Sequence, residues 1–405
     1  MLTKFNLILF LFISQYNFSQ ELTVEKIWQN YEFYGSSVDG FRSMQDGNYF
    51  SKITSTEKGD AITKHKFTDY QGESEVIISA EILNQVKMDD YSFNQDETKA
   101  LITTESKSIY RRSYKAVYYV LDIKTGTLNP LDNERQPQTL AEYSPDGKSV
   151  SYIYNNNIFV KNLETNAVTQ LTIDGKTNEI INGTTDWVYE EEFAITKGYS
   201  WSPDSKYIAF LKFDESNVKE FTMTYYNELY PDLYTFKYPK AGENNSIVTA
   251  NICDVKKNTV NKIELSDYEY IPRFKWSNTT NKLVIQTLNR HQNILTYHLL
   301  DADKNTQKAN EFFTEKSSTY IDIDDNLLIL KDGNTILRTS ESNGYNHIYK
   351  LCFDGVSSEV TKGNWDVTEF IGYDSRKKTF YYQSAEASPI LRDVYSIKLN
   401  GKNKK

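Results

Sequence analysis

A short pattern recurs along this chain: an aromatic or apolar residue, a turn rich in Ser, Asp, Asn and Gly, then a strand-length run of alternating or continuous apolar residues. Its clearest copies are Tyr143-Ser144-Pro145-Asp146-Gly147 and Trp201-Ser202-Pro203-Asp204, and looser copies begin at Phe41, Phe93, Trp276, Leu330 and Tyr373. Successive starts lie 52, 50, 58, 75, 54 and 43 residues apart. Short apolar runs bounded by turn residues read as strands. A period of roughly 40 to 50 residues holding several of them is the sequence form of a propeller blade. Later strand pairs within the units, such as the run from Tyr118 to Ile123 before Lys124-Thr125-Gly126, fill out each blade. One four-stranded sheet cannot bury both of its faces, so neighbouring sheets must stack to make the core. The pattern therefore predicts an all-β chain, a β-propeller of seven to eight four-stranded blades over residues 21–405, with about seven units visible.

Two stretches depart from the repeat. The 75-residue interval carries an insertion within 214–246, where Tyr225, Tyr226, Tyr230, Tyr234 and Tyr238 cluster. It reads either as an aromatic lid over the propeller rim or as a surface that touches substrate, since long loops on a rigid scaffold often carry function. Residues 182–197 are the second insertion and are expected to form a short helical turn projecting from a blade edge. They contain Asp186-Trp187-Val188-Tyr189-Glu190-Glu191-Glu192. A charge run is ordinarily a solvated face. Adjacent carboxylates among aromatics can instead form an anionic socket, and a peptide's amino terminus is a cation that would suit it.

Composition narrows the field. With 31 Tyr and 21 Phe against 8 Pro in 405 residues, the chain favours pleated, half-buried surfaces. A net charge of −9 supplies no basic patch for nucleic acid or anionic lipid. Residues 1–20 carry one lysine, Lys4, and an apolar run too short to span a bilayer, which reads as a signal peptide and predicts export to a periplasm or the exterior. No later segment reads as a transmembrane span. Cys253 and Cys352 are the only cysteines; they are read as separate buried strand thiols, or else as one long-range disulfide. His65, His291, His298 and His347 have no partner spaced for metal or catalysis, and no metal or cofactor is expected.

The acidic run, continued through Trp201-Ser202-Pro203 to Tyr238-Pro239-Lys240-Ala241-Gly242, resembles the double-glutamate region of dipeptidyl peptidase IV, a serine exopeptidase of the prolyl oligopeptidase family. Arg111-Arg112-Ser113-Tyr114, ahead of Tyr118-Tyr119-Val120-Leu121-Asp122, resembles that family's arginine-containing strand. Ser342-Asn343-Gly344-Tyr345-Asn346-His347 and Thr361-Lys362-Gly363-Asn364-Trp365 resemble its later blades. The resemblance implies that Glu191 and Glu192 pair with a substrate's α-ammonium and that Arg111 holds a substrate carbonyl and steadies the glutamates. The partner it implies is a peptide with a free amino terminus, cleaved after a second residue of Pro or Ala.

Catalysis in that family belongs to an α/β-hydrolase domain following the propeller. These 405 residues contain no Gly-x-Ser-x-Gly elbow and no alternation of strands with long helices, so no catalytic residue is assigned and the chain alone is expected to be inactive. The family's eight blades against seven visible units predict an incomplete last blade with an unpaired edge. The intact enzyme is expected to include the hydrolase domain and to form homodimers. The alternative reading is a non-catalytic exported propeller that binds peptide amino termini or a protein partner.

Overall fold

The same four-residue turn recurs at Met44 to Gly47, Asn94 to Glu97, Ser144 to Gly147, Ser202 to Ser205 and Leu330 to Gly333. In each, the fourth residue donates its backbone N–H to the carbonyl of the first, at 2.8–3.1 Å. That fourth residue has a φ of 56–69° in every copy, so glycine occupies three of the five positions without strain. In the Ser-Pro-Asp copies the serine also bonds the aspartate: Ser202 Oγ donates to Asp204 Oδ1 at 2.7 Å and accepts from the Tyr207 N–H at 2.9 Å. Each turn reverses the chain from the first strand of a sheet into the second.

Seven such sheets follow one another in the computed structural model, which describes residues 22–35, 40–69, 72–304 and 306–405. The signal-peptide segment, residues 1–20, lies outside the described residues. Four antiparallel strands form the first sheet (Arg42–Ser43, Tyr49–Thr56, Gly59–Lys66, Glu75–Ile78), the second (Met88–Phe93, Lys99–Ser108, Tyr114–Asp122, Thr127–Pro130) and the third (Thr139–Tyr143, Ser149–Tyr154, Asn157–Asn162, Val168–Gln170). The fifth (Tyr270–Trp276, Lys282–Leu288, Ile294–Asp301, Asn310–Lys316) and sixth (Leu328–Ile329, Thr335–Ser340, His347–Cys352, Ser357–Glu359) repeat this meander. The fold is a β-propeller. Its seventh sheet has three strands among the described residues, Val367–Asp374, Thr379–Ser384 and Asp393–Lys398.

Strand alternation makes the core continuous. Successive side chains point to opposite faces, so Ile102 packs with Ile62, Ile78 and Leu83 of the first sheet side, whereas Leu101 packs with Val150, Tyr152 and Phe159 of the third. In the fourth sheet Ile208 and Phe210 join Ile153 and Ile158, while Ala209, Leu211 and Phe213 join Val284 and Ile285 of the fifth. Each fully buried Ile, Leu or Phe contributes about 1.5–3 kcal/mol, and every strand of this kind serves two interfaces at once. The turns add polar links between sheets: Asp146 N–H donates to Ser205 Oγ at 3.0 Å, and Asn281 Nδ2 donates to Asp204 Oδ2 at 2.7 Å.

The fourth sheet is irregular. Ile180–Asn182 and Tyr199–Trp201 both pair with Tyr207–Asp214, Asn182 opposite Lys212 and Tyr199 opposite Phe210, so they are two halves of one strand interrupted by residues 183–198. The excursion carries a helix, Trp187–Glu192. Tyr207–Asp214 then pairs along its whole length with Ile247–Asp254, and residues 215–246 leave from the end of that pair to form a separate hairpin, Glu220–Tyr225 with Asp232–Lys237. Cys253 is a buried free thiol of this sheet; Cys352, in the sixth, is also free but only half-buried, so the expectation that both are buried holds for one. His347 is fully buried, Nδ1 against Thr361 Oγ1 and Nε2 against the Gly363 carbonyl, a packed strand histidine. Among the described residues no helix is long and apolar enough to cross a membrane, and no cluster of His, Cys, Asp and Glu is placed to hold a metal.

Candidate substrate-binding site

The acidic run is divided by the helix it forms. Asp186 is the N-cap: its Oδ1 accepts the Tyr189 N–H at 2.9 Å, and its Oδ2 accepts from Ser246 Oγ at 2.6 Å. Tyr189 is 1% exposed, packed on Phe193 and Phe213, with its hydroxyl accepting the Ile271 N–H at 3.0 Å. Glu190, equally buried, accepts the N–H groups of Arg112 and Ser113 at 2.6 and 2.9 Å, while its own carbonyl accepts from Arg112 Nη1 at 2.8 Å. A six-residue helix would not persist in water; these three anchors tie it to the fifth sheet, to the insertion and to the second sheet.

What remains for chemistry is the other side of the helix. Glu191 is half-buried, its Oε1 3.3 Å from Arg111 Nε, and the Glu192 carboxylate is exposed with no ion pair among the described residues. Arg111 does not lie in a strand, as the sequence predicts, but in the 109–113 connection between Lys99–Ser108 and Tyr114–Asp122. The two neighbouring arginines are separated in role: Arg112 is spent on Glu190, and the mostly exposed Arg111 reaches toward Glu191. The structure thus brings Arg111 to Glu191, with Glu192 the next residue at the end of the same helix and lining a cavity beside Trp187.

The inserted hairpin closes around this group. Tyr238 packs on Trp187 with ring centroids 4.3 Å apart, and Phe236 packs on Tyr110 of the arginine connection at 5.9 Å. Behind the connection lies a cavity of about 400 Å³ lined by Tyr110, Arg112, Glu215, Tyr234 and Phe236 among others. Trp187, Glu192, Tyr238 and Arg290 line a second, of about 470 Å³. Sequence reading gave no role to Asp186, Glu190, Tyr110 or Glu215. The i, i+4 spacing of Asp186 and Glu190, which puts them on one helical face away from Glu192, is the signal that could have set them apart.

Asp186, Glu190, Glu191, Glu192 and Glu215 gather around the helix, and of the nearby cations Arg112 is bound to Glu190, Lys237 to the Val218 carbonyl and Arg290 to Glu269, while Arg111 reaches Glu191. Burial raises the Asp186 carboxyl, opposed by its bonds from Ser246 and Tyr189. Burial and then the charge of Asp186 raise Glu215 to about 7, with Lys237 opposing. The Glu192 carboxylate, with no ion pair among the described residues, is the group left open to an incoming cation.

A family model described as the dipeptidyl peptidase IV N-terminal region matches residues 94–405. The chain belongs to the dipeptidyl peptidase IV family. Among curated relatives, a probable dipeptidyl-aminopeptidase B of Phaeosphaeria nodorum is 31% identical over 346 residues, covering 76% of this chain and 37% of the relative. One of Pyrenophora teres f. teres is 30% identical over 378 residues, 85% and 41% of the two chains. The crystal structure of Porphyromonas gingivalis dipeptidyl peptidase 4 superposes with a TM-score of 0.86 at 34% identity, over 95% of this chain and 55% of that one. The chain therefore spans about two-fifths of those curated relatives and about half of the solved dipeptidyl peptidase IV family member.

Proposed function

We propose that this chain is the substrate-gating propeller of an exported dipeptidyl peptidase that removes amino-terminal dipeptides with Pro or Ala second, working with an α/β-hydrolase domain in an enzyme that dimerises. The observation that carries the reading is the anchored helix presenting Glu191 and Glu192 beside Arg111. An α-amino group, with a pKa near 7.7 to 8, offers a positive charge and N–H donors to those two carboxylates. The Arg111 guanidinium has only donors, which suits a peptide carbonyl one residue further along. An acylated or internal peptide offers no positive charge to these carboxylates, so it is rejected. The propeller would thereby measure two residues from the amino terminus, and the serine chemistry would be supplied by the hydrolase domain.

Calorimetric titration of the 405-residue chain with a Gly-Pro peptide and its Nα-acetylated twin tests this. Acetylation, and separately Glu191→Gln with Glu192→Gln, should weaken binding by about 10- to 100-fold, the worth of a charge-assisted hydrogen bond. Equal binding of the two peptides would overturn the reading.

A further inference from the structure

Glu215 follows directly on the strand Tyr207–Asp214. Its N–H donates to the Glu179 carbonyl at 2.8 Å and its carbonyl accepts from the Val218 N–H at 3.0 Å, so the backbone is fixed on both sides. The residue is 6% exposed and lines the cavity behind the arginine connection. Its carboxyl accepts no hydrogen bond and enters no ion pair among the described residues. A buried carboxylate with no donor is costly when charged.

Every element around it meets here. The helix contributes Asp186, its N-cap; the arginine connection contributes Tyr110, with Arg112 lining the same cavity; the hairpin contributes Tyr234 and Lys237; Asp214 precedes it on its own strand. Lys237 is already committed, its Nζ donating to the Val218 carbonyl at 2.9 Å and standing 3.7 Å from Glu220. Asp186 is committed too, to Ser246 and to the first turn of the helix. Lys237 is thus not free to meet an ionised Glu215, and the carboxylate that acts on it most strongly is the group that caps the glutamate helix.

We propose that Glu215 is a positioning residue that, as the neutral acid, lets the capped glutamate helix, the arginine connection and the aromatic hairpin pack together, and that its ionisation loosens that junction. The role rests on the proposed amine-binding function of the helix. With Asp186 and Glu215 both charged, either Asp186 leaves its bonds to Ser246 and Tyr189, or Glu215 turns further into the cavity it lines to be hydrated. Each alternative disturbs the element carrying Glu191 and Glu192. The acid's raised value of about 7 against an ordinary 4.5 puts the change at neutral pH. The sign follows from proton counting: the folded form binds more protons than the unfolded one between those values, so the contribution to stability is complete below about 4.5 and is lost as pH rises to about 7.

Two measurements on the full chain separate this inference from the function beneath it. Hydrogen exchange, as protection factors for Tyr189, Glu190 and Phe193 amides, should fall about tenfold between pH 6 and pH 8 in the wild type and stay level in Glu215→Gln, which keeps the neutral shape. Affinity for Gly-Pro-Gly should fall over the same range in both proteins as the peptide amine deprotonates, but about tenfold more steeply in the wild type. Unchanged helix protection in the wild type, or identical pH profiles in the two proteins, overturns the positioning role. Helix protection that changes as stated while neither protein binds the peptide at any pH leaves Glu215 in its structural place and overturns the amine-binding function instead.

Discussion

Glu190 accepts two backbone N–H groups of the arginine connection through a carboxylate that is almost wholly buried. Both bonds go to its Oε1, so replacement with alanine removes that acceptor and strands the two donors, at a cost of about 2–4 kcal/mol; urea unfolding of Glu190→Ala should show that loss. Glu190→Gln keeps an acceptor in place and should lose about half as much. Glu192→Ala, two residues on, removes an exposed carboxylate with no ion pair, so its unfolding midpoint should be unchanged within about 0.5 kcal/mol, while its affinity for a free-amine peptide drops. The ion pair of Glu191 with Arg111 is held by a largely exposed guanidinium, and such pairs contribute little to stability. Arg111→Ala is therefore expected to affect peptide affinity and leave the midpoint in place. A fold-stability assay alone thus separates the structural glutamate from the one proposed to meet substrate.

Among the elements, the recurrent turn carries the most legible signal. Ser202 is fully buried, and its hydroxyl serves Asp204 and the Tyr207 N–H together. Ser202→Ala should cost about 1–2 kcal/mol, measured by thermal or urea unfolding, and Ser144→Ala, with the same pair of bonds to Asp146 and Ser149, should match it. Because these bonds are local in sequence, Ser-Pro-Asp at Ser144 and Ser202 announces both the turn and the strand after it, and the spacing of the copies gives the sheets. The same locality made the helix within residues 182–197 readable. What joins the site is not local: Tyr110 meets Phe236 and Trp187 meets Tyr238 across different sheets, and no periodicity records such pairs. The resemblance puts Arg111 on a strand, and the residues alone do not correct it, for a related reason. Polar residues at a connection between two strands look like a strand end until the register, Ser108 opposite Tyr114, is known. The split of one strand into Ile180–Asn182 and Tyr199–Trp201 was equally hidden, since each half alone is too short to show alternation.

For the molecule as a whole, each of the first six sheets presents four or more strands, while the seventh stops at Asp393–Lys398. That outer strand pairs on one side with Thr379–Ser384 throughout. On the other side the tail turns back, Ser396 and Lys405 exchanging backbone hydrogen bonds at 3.0 Å and Lys398 N–H donating to the Lys402 carbonyl at 2.9 Å. Val394 lies beyond that short contact and is 63% exposed, near Leu391 at 48% and Ile390 at 90%. At Val394, outside the tail contact, an apolar stretch of strand edge is left as a template for another strand. The 405-residue chain by itself is expected to self-associate through this edge as its concentration rises. A charge on the edge opposes strand addition without touching the core, since Tyr395 and Ile397 are the residues of this strand that pack on the core, and Val394 is not among them. Val394→Lys should therefore lower the weight-average mass seen by light scattering at high concentration while leaving the thermal midpoint within about 2 °C, a surface-scale change for a chain of this size. Association that is unaffected by Val394→Lys but abolished by Leu233→Lys would move the contact from the seventh sheet to the exposed hairpin, where Leu229, Tyr230 and Leu233 are 70–91% exposed.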